Sequence, residues 1–389
     1  MIITGLEKLS SDPPIWLKNR RIGLLCNQAS VDSCLNHSRF RINQCSGNML
    51  QVLFSPQHGL FADKQDNMQE SDHCTDPELS IPVYSLYGET RRPEQAWLKD
   101  IDILVIDLQD VGCRVYTYIW TMLMCMEECA RCGTEVAILD RPNPIGGISV
   151  EGNLLRPECH SFVGLAPIPM RHGMTMAELA LFFKHTMDMD LELHVVKMQG
   201  WSRSMYFPQT GLPWVWPSPN MPTFDTATVY PGQVVLEGTN ISEGRGTTRP
   251  FEVFGAPFMD IHSMSTQMEK WNLPGFYLRA QFFEPTFHKW AGQQCRGFQL
   301  HVTNPNDFQP YLFTLALISA TIRLHGGDFQ WKPPPYEYEF DKLPADLIIG
   351  DPEIRKAVEQ GAGPGDLENM WLRELETFRE ERQEFLLYD

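Results

Sequence analysis

Five short apolar runs in the first half of the sequence each end in a cluster of polar residues. The clusters are, in chain order, Asn27 and Gln28; residues 55–59 (SPQHG); Tyr87 and Gly88; Gln109 and Asp110 with Arg114, Tyr116 and Tyr118 behind them; and Asp140, Arg141 and Asn143. Carboxylates and imidazoles can transfer protons, while amides, guanidinium groups and hydroxyls bind polar ligands. Any single cluster is explained equally well by a polar loop or a helix cap. Five of them together predict one shared site.

A glycine-rich segment in the second half carries the next group of candidate residues. Residues 237–249 read EGTNISEGRGTTR and include Glu237, Glu243, Arg245 and Arg249. Glycine permits positive φ and a close approach of the backbone to a ligand. A salt bridge between Arg and Glu that ties two domains together is the alternative interpretation. Because binding sites often form between domains, both interpretations can hold together.

The motifs of several common enzyme classes are missing from the sequence. It contains no GxxxxGK[ST] loop, no GxGxxG fingerprint, no HExxH and no GxSxG. We therefore predict neither a cofactor nor a metal ion. Carboxylates, amides and aromatic rings are typical of carbohydrate sites, because sugar hydroxyls need bidentate partners and sugar C–H faces stack on rings. The candidate rings are Tyr116, Tyr118, Trp201, Trp214, Trp216 and Phe224. Packing in the core is the alternative for each tryptophan.

The elements that must position these residues alternate between strand and helix. The apolar runs that predict strands are Arg21–Cys26, Gln51–Phe54, Ile81–Leu86, Ile103–Leu108, Glu135–Leu139 and Glu192–Lys197. Their Val, Ile and Leu content is typical of strands buried on both faces. Helices are predicted at Glu94–Lys99, Thr117–Cys132 and Thr175–Met187, the last with a capping box between Thr175 and Glu178. This alternation predicts an α/β fold with a Rossmann-like parallel sheet and helices on both faces. In such sheets, ligands bind at the carboxyl ends of the strands.

The pattern changes after residue 200. Residues 200–260 are rich in Pro, Gly, Trp and Asn and show little periodicity, as in functional or interdomain loops. Beyond them the sequence predicts strands at Gly275–Phe283 and Gly297–Thr303, helices at Tyr311–Leu324 and Asp366–Phe385, and a Pro-rich connector at Trp331–Tyr338. We therefore predict two domains. Residues 1–225 form a Rossmann-like N-terminal domain with most of the site, and residues 226–389 form a smaller C-terminal α/β domain that closes the cleft.

Charge and hydropathy narrow the class of partners. The 389 residues carry 32 Lys and Arg against 49 Asp and Glu, a formal net charge of −17. Proteins that bind nucleic acids normally carry a basic patch, so neither nucleic acid nor an anionic membrane is an expected partner. No window approaches the roughly 18 apolar residues of a spanning helix. No signal-peptide pattern is present either, which predicts a cytoplasmic location. The ten cysteines are scattered and are expected to be reduced.

Eight motifs resemble those of one known family. They are SPQHG (55–59), PVYSLYG (82–88), DLQDVGCRVYTY (107–118), LDRPNPIGG (139–147), VEGNLL (150–155), PMRHGMTMAELA (169–180), PSPNMPT (217–223) and YPGQVVLEGTNISEGRGTTRPFE (230–252). In this order they are similar to the NamZ-like exo-β-N-acetylmuramidases, glycoside hydrolase family 171, formerly a domain of unknown function. The resemblance extends to the closing FREERQEFLLYD. It implies a Rossmann-like N-terminal domain, a smaller C-terminal domain, a cleft between them, and release of terminal N-acetylmuramic acid from peptidoglycan fragments.

One position departs from the family's pattern. The motif after the second strand commonly reads SPEHG in the family, and its glutamate is the leading catalytic candidate, whereas this chain has Gln57. An amide does not titrate in the working pH range, so it cannot serve as a general acid or base. Three explanations are open at this point. Another carboxylate supplies the proton, the substrate differs, or the activity has been lost.

Glycoside hydrolysis generally uses two carboxylates on either side of the scissile bond. We predict Asp110 as the base, because a neighbouring arginine would lower its pKa, and Glu243 as the acid that closes over the sugar. Glu70 and Asp140 are the second choices. The predicted sugar-binding residues are Gln57, His58, Arg114, Tyr116, Asn143, His172, Asn220 and Arg245. The predicted function is that of an exo-β-N-acetylmuramidase. The alternative is a sugar-binding or muropeptide-binding protein that kept the pocket and lost the acid.

Overall fold

The computed structural model describes residues 2–65 and 68–389. Its strands are β1 (Ile22–Cys26), β2 (Leu50–Ser55), β3 (Cys74–Thr75), β4 (Pro82–Ser85), β5 (Ile103–Asp107), β6 (Glu135–Leu139), β7 (Glu151–Leu154), β8 (Pro169–Arg171), β9 (Leu193–Val196), β10 (Val253–Ala256), β11 (Phe276–Phe283) and β12 (Cys295–Val302). Its α-helices are α1 (Gly5–Ser11), α2 (Ser38–Cys45), α3 (Gln95–Leu98), α4 (Tyr118–Cys132), α5 (Met176–Thr186), α6 (Phe207–Thr210), α7 (Phe224–Gln233), α8 (Ile261–Trp271), α9 (Pro310–His325), α10 (Pro344–Ile349), α11 (Pro352–Glu359), α12 (Pro364–Asn369) and α13 (Leu372–Glu381).

A seven-stranded sheet organises the first half of the chain, in the order β3-β4-β2-β1-β5-β6-β9. The short edge strand β3 pairs antiparallel with β4, and every other neighbouring pair is parallel. The six parallel strands, numbered among themselves, follow the order 3-2-1-4-5-6 of doubly wound sheets. All six coincide with predicted strands, so the prediction of a Rossmann-like sheet is confirmed.

Helices cover both faces of this sheet because its strands are apolar on both faces. Along β5, Ile103 and Val105 pack in a cluster with side chains of α1 and α2. The alternating residues Leu104 and Ile106 pack in a second cluster with side chains of α4 and α5. Helix α5 begins with the predicted capping box, in which Thr175 and Glu178 each accept a hydrogen bond from the other's backbone N–H.

The second half of the chain contains a three-stranded antiparallel sheet, β10-β12-β11, with α7, α8 and α9 packed around it. Residues 200–260 are more regular than expected, because α7 and β10 lie there. The helix predicted over Asp366–Phe385 is divided into α12 and α13, which Met370 and Trp371 separate. The apolar residues at helical spacing along this segment, Leu367, Trp371, Leu375 and Phe378, are all buried, and Trp371 is 1% exposed.

The predicted boundary between residues 225 and 226 falls within α7. The larger hydrophobic cluster joins residues from both halves, for example Ile106 and Phe313. The division into two domains therefore stays a prediction. In the described part of the chain, no helix is both long enough and apolar enough to cross a membrane.

Candidate active site

A cavity lies where loops at the carboxyl ends of the parallel strands meet segments from the second half of the chain. The residues that line it are Gln57, His58, Val115, Tyr116, Thr117, Tyr118, Val163, Ser218, Asn220, Met221, Tyr230, Glu237, Arg245, Phe251, Tyr336 and Glu337. The cavity thus combines aromatic rings, amides, an arginine and two glutamates. Such a lining suits a sugar, which offers both hydroxyl groups and apolar C–H faces.

Gln57 lies two residues beyond the end of β2 and joins two distant parts of the chain. The Thr117 hydroxyl, just before α4, donates to Gln57 Oε1 over 2.7 Å. Gln57 Nε2 donates in turn to Glu337 Oε1 over 3.1 Å, across 280 residues of sequence. With its side chain 5% exposed, Gln57 is held in one orientation and presents its amide N–H to a carboxylate.

Glu337 is buried in the wall of the cavity, and its backbone lies in the left-handed region at φ 46°. A residue other than glycine in this region costs about 1–3 kcal/mol, and such strain clusters at functional sites. The Tyr87 hydroxyl donates to its Oε2 over 2.6 Å. Burial raises the pKa of the Glu337 carboxyl, and the charge of Glu237 acts in the same direction, against the hydrogen bonds from Tyr87 and Gln57. Glu337 therefore holds its proton to a higher pH than an exposed glutamate.

Glu237 has a different environment within the same cavity. Arg245 Nη2 lies 2.6 Å from its Oε1, and the Tyr336 hydroxyl donates to its Oε2 over 2.8 Å. Burial lowers the pKa of Arg245, but the charges of Glu237 and Glu243 outweigh it, so the guanidinium stays protonated. The negative charge of Glu237 is thereby compensated. Two carboxyl groups in different surroundings, one paired with a cation and the other not, are the usual equipment of an acid–base site.

The cavity brings together five of the predicted site residues: Gln57, His58, Tyr116, Asn220 and Arg245. His58 Nδ1 lies 2.7 Å from the Lys64 carbonyl oxygen. Asn220 Nδ2 donates to the Gln65 carbonyl over 2.9 Å. The ring of Tyr116 packs edge-on against that of Tyr230, with centroids 5.8 Å apart. These contacts orient side chains from four separate segments toward one space.

Glu243, the predicted acid, does not line this cavity. Lys289 Nζ donates to its Oε2 over 2.7 Å, and His288 Nδ1 lies 3.3 Å from its Oε1. Burial alone would raise the pKa of Glu243, but Lys289, His288 and Arg245 together hold it well below the usual range. A carboxylate that stays ionised cannot donate a proton, so this environment does not support the predicted role. Glu243 instead ties the glycine-rich loop to Lys289.

Asp110, the predicted base, also lies outside the lining of the cavity. Its Oδ2 accepts from the Gly112 backbone N–H over 2.7 Å and lies 3.4 Å from His172 Nε2. Asn143 Nδ2 donates to the Met174 carbonyl over 3.0 Å. Asp110 with its neighbour His172, and Asn143 with its partner Met174, are therefore buried outside the lining of this cavity, and their roles in the chemistry and in sugar binding stay predictions.

Arg114, a predicted sugar-binding residue, is fully buried outside the lining of the cavity, where its guanidinium binds backbone carbonyls. Its two terminal nitrogens donate to the carbonyl oxygens of Asn153, Ile168, Ile348 and Ile349, over 2.7 to 3.1 Å. The guanidinium thus joins β7 to the end of α10. A role in sugar binding finds no support in this geometry.

The second choices and the tryptophans also lie away from the lining of the cavity. Asp140 accepts hydrogen bonds from Thr175, Ala177 and Tyr388, and Glu70 is exposed. Two of the tryptophans pack against other rings, Trp201 against Tyr388 and Trp214 against Phe207. The third, Trp216, is 50% exposed. Residues 2–65 and 68–389 contain no group of three or more His, Cys, Asp or Glu side chains that could hold a metal ion.

Sequence reasoning missed Glu337, the carboxylate with the strongest functional signature in the cavity. It lies in the Pro-rich stretch that was interpreted as a connector. The signal that could have found it is the order PPPYEYE, in which a stiff proline run precedes Glu337 between two tyrosines. Tyrosine hydroxyls can donate to carboxylates in a buried site, as Tyr336 does to Glu237.

Comparison with known proteins identifies the family. Residues 22–225 match the family model described as the N-terminal part of exo-β-N-acetylmuramidase NamZ, and residues 228–388 match the model of its C-terminal part. The chain belongs to the NamZ family. It is 42% identical over 385 residues to the peptidoglycan β-N-acetylmuramidase NamZ of Bacillus subtilis (strain 168), covering 99% of this chain and 91% of that protein.

Solved structures of this family share the fold. A DUF1343 family protein of Bacteroides fragilis NCTC 9343 superposes with a TM-score of 0.90 at 34% identity, covering 100% of this chain and 99% of that one. A second DUF1343 family protein of the same organism gives a TM-score of 0.75 at 29% identity, with the same coverage. The NamZ-family fold therefore extends over the whole chain.

Proposed function

We propose that this chain is a glycoside hydrolase that releases terminal β-linked N-acetylmuramic acid from peptidoglycan fragments. The observation that carries the proposal is the 42% identity to a peptidoglycan β-N-acetylmuramidase over 99% of the chain. The cavity adds chemical support, because two buried glutamates, 237 and 337, line the same space as several tyrosines and amides.

Glu337 is our candidate for the general acid. Hydrolysis breaks the bond between the anomeric carbon and the leaving oxygen, so the leaving oxygen must gain a proton and the anomeric carbon must gain a hydroxyl from water. Burial raises the pKa of Glu337, which keeps the proton available for the leaving oxygen. The Tyr87 hydroxyl, 2.6 Å from Oε2, keeps the carboxyl group in position while the proton leaves.

Glu237 is our candidate for the ionised partner. Its charge, compensated by Arg245 at 2.6 Å, can stabilise the positive charge that develops on the sugar or attract a proton from the attacking water. Gln57 replaces a titratable group by an amide that donates to Glu337 over 3.1 Å. In this proposal, Gln57 positions the acid and leaves the proton transfer to Glu337.

The test is release of a chromophore from a chromogenic N-acetylmuraminide by the wild type, Glu337→Gln and Glu237→Gln. Loss of a positioned acid or base costs about 10²–10⁴-fold in rate, and we expect falls of that size in kcat. Glu339→Gln is the matched control, because Glu339 lies in the same segment and its Oε1 accepts from the Asp341 backbone instead of facing the cavity. Thermal unfolding confirms that each variant folds.

Three outcomes separate the alternatives. Binding of N-acetylmuramic acid without release of the chromophore by the wild type would favour a sugar-binding protein without activity. Wild-type rates in both glutamine variants would remove Glu337 and Glu237 from the chemistry while leaving the family's reaction in place. A loss confined to Asp110→Asn or Glu243→Gln would return the mechanism to the pair predicted from sequence.

A further inference from the structure

Arg91 is clamped between aromatic rings in the loop after β4. Its guanidinium carbon lies 4.2 Å from the centroid of the Tyr87 ring, 4.4 Å from that of Tyr338 and 5.5 Å from that of Phe162. Aromatic faces attract cations, and a ring on more than one side restricts the guanidinium plane to a narrow range of orientations. The side chain is half-buried, so part of it stays accessible.

This clamp borders the cavity that holds Glu337. The Tyr87 hydroxyl donates to the Glu337 carboxylate, and Tyr338 directly follows Glu337 in the sequence. Phe162 precedes Val163, which lines the cavity wall. The positive charge of Arg91 is close enough to act on the pKa of Glu337, which it lowers. A ligand bound next to Glu337 therefore lies within the electrostatic reach of Arg91.

Within residues 2–65 and 68–389, the charge of Arg91 is not compensated by an ion pair. In the described parts of the chain, its guanidinium forms no salt bridge with a carboxylate, while the neighbouring Arg92 pairs with Glu127 and Glu128. A guanidinium has five N–H donors; Nη1 donates to the Gly88 carbonyl, and the Tyr338 hydroxyl is a second partner, which leaves donors for a ligand. Arg245, the cation inside the cavity, already pairs with Glu237. Arg91 thus offers both charge and donors to an anion.

N-acetylmuramic acid differs from N-acetylglucosamine by a lactyl ether that carries one carboxylate. A protein with a net charge of −17 repels an anionic sugar at long range, so a local cation is needed to favour it. An arginine held in a fixed plane matches a carboxylate with two parallel hydrogen bonds. We propose that Arg91 binds the lactyl carboxylate and thereby selects muramic acid over glucosamine, an inference that rests on the proposed function.

The test compares a chromogenic N-acetylmuraminide with its lactyl methyl ester, which has the same sugar and leaving group but no charge. We expect Arg91→Gln to lower kcat/KM for the free acid by about 10- to 100-fold, as for loss of a charge-assisted hydrogen bond. The ester should change by less than about 3-fold, because no charge is recognised there. Arg91→Lys, which keeps the charge without the planar fork, should give an intermediate loss on the free acid.

Arg92→Gln is the matched control and should leave the ratio of the two substrates unchanged, because Arg92 binds Glu127 and Glu128 instead of bordering Glu337. The ester also reports any effect that Arg91 has through Glu337, since both substrates need the same acid. Equal losses on the acid and the ester in Arg91→Gln would show that the clamp only shapes the wall, and would overturn the proposal.

An inactive wild type would overturn the proposed function without deciding the role of Arg91. Calorimetric titration with N-acetylmuramic acid and with its methyl ester then decides it. A preference of the wild type for the free acid that disappears in Arg91→Gln supports recognition of the carboxylate. Equal affinity of the wild type for the two sugars overturns it.

Discussion

At the scale of single residues, the buried carboxylates differ in what compensates their charge. Glu243 lies beside a lysine, a histidine and an arginine, while Glu337 accepts from a tyrosine hydroxyl and an amide, with the charge of Arg91 as a weaker influence. The first set keeps a carboxylate ionised, and the second lets burial raise the pKa. The partners of Glu337, Tyr87 and Gln57, lie 250 and 280 residues away in the sequence, so the local pattern PPPYEYE did not by itself show that this glutamate would be buried in the cavity.

Position 57 offers a direct test of which carboxylate is the acid. Gln57→Glu places a second carboxyl within 3.1 Å of Glu337, and two carboxyls this close do not both ionise readily. Because the charge on one raises the pKa of the other, we expect the basic limb of the kcat/KM profile to move to higher pH by about one unit or more. The measurement is hydrolysis of one muraminide from pH 5 to 9.

The control for this change is Gln57→Ala, which removes the hydrogen bond to Glu337 without adding a charge. Loss of that donor should alter the rate while moving the basic limb less than Gln57→Glu does. A profile in Gln57→Glu that coincides with the wild type at every pH would show that neither position 57 nor Glu337 carries the titrating proton.

At the scale of elements, the glycine-rich loop 237–249 is fixed by buried charges. Lys289 Nζ donates to Glu243 and to the carbonyls of Leu236 and Ile241, over 2.7 to 3.0 Å. Lys289→Met leaves the Glu243 carboxylate in the interior without its nearest cation, and such a loss costs about 3–5 kcal/mol. We expect a fall of that size in the free energy of unfolding, measured with urea at pH 7.

The double variant Lys289→Met with Glu243→Gln is the control for this loop. It removes the orphaned charge, so it should recover a substantial part of the lost stability. Equal stabilities of the single and double variants would show that the Lys289 charge does not stabilise Glu243.

Local periodicity predicted the strands well, because each buried strand of a doubly wound sheet is a short apolar run in the sequence. Periodicity failed in residues 200–260, where α7 carries Pro231 and Gly232 within a helix. Helix propensity argues against both residues there. The reason for the glycine is tertiary: a Cβ at position 232 would lie 1.8 Å from the Pro310 carbonyl oxygen at the start of α9.

In Gly232→Ala, helix propensity and packing should therefore change the free energy of unfolding in opposite directions. Propensity alone would stabilise α7 by about 1 kcal/mol. The overlap with the Pro310 carbonyl forces α7 and α9 apart, and overpacking of this kind costs about 1–3 kcal/mol or more. We expect a net loss of stability in urea unfolding. Gly327→Ala, where a Cβ meets nothing within 4 Å, should leave stability unchanged within about 1 kcal/mol. A Gly232→Ala protein as stable as the wild type would contradict the close contact of the two helices.

At the scale of the whole molecule, two buried carboxyls join the halves of the chain. Asp140, at the end of β6, accepts from the Tyr388 hydroxyl over 2.6 Å, and Glu151 in β7 accepts from the Leu312 backbone N–H of α9 over 2.9 Å. Burial raises the pKa of each group to about 7, against these hydrogen bonds. Both contacts between the halves therefore involve a carboxyl group that loses its proton near neutral pH, so we expect the free energy of unfolding to depend on pH.

The sign of this dependence follows from linkage. In the unfolded chain a glutamate titrates near pH 4.3, so between pH 4.3 and 7 the folded protein binds a proton at Glu151 that the unfolded chain has lost. The stability due to Glu151 therefore falls as the pH rises through this window and is constant above it.

Glu151→Gln keeps the acceptor for Leu312 and cannot ionise. We expect its advantage over the wild type to grow by about 2–3 kcal/mol between pH 5 and 8, at 1.36 kcal/mol per pH unit. The difference in the free energy of unfolding is measured with urea at several pH values. The contribution of Asp140 cancels from this difference because both proteins contain Asp140. A difference that does not change with pH would mean that Glu151 has the same protonation in the folded and unfolded chains.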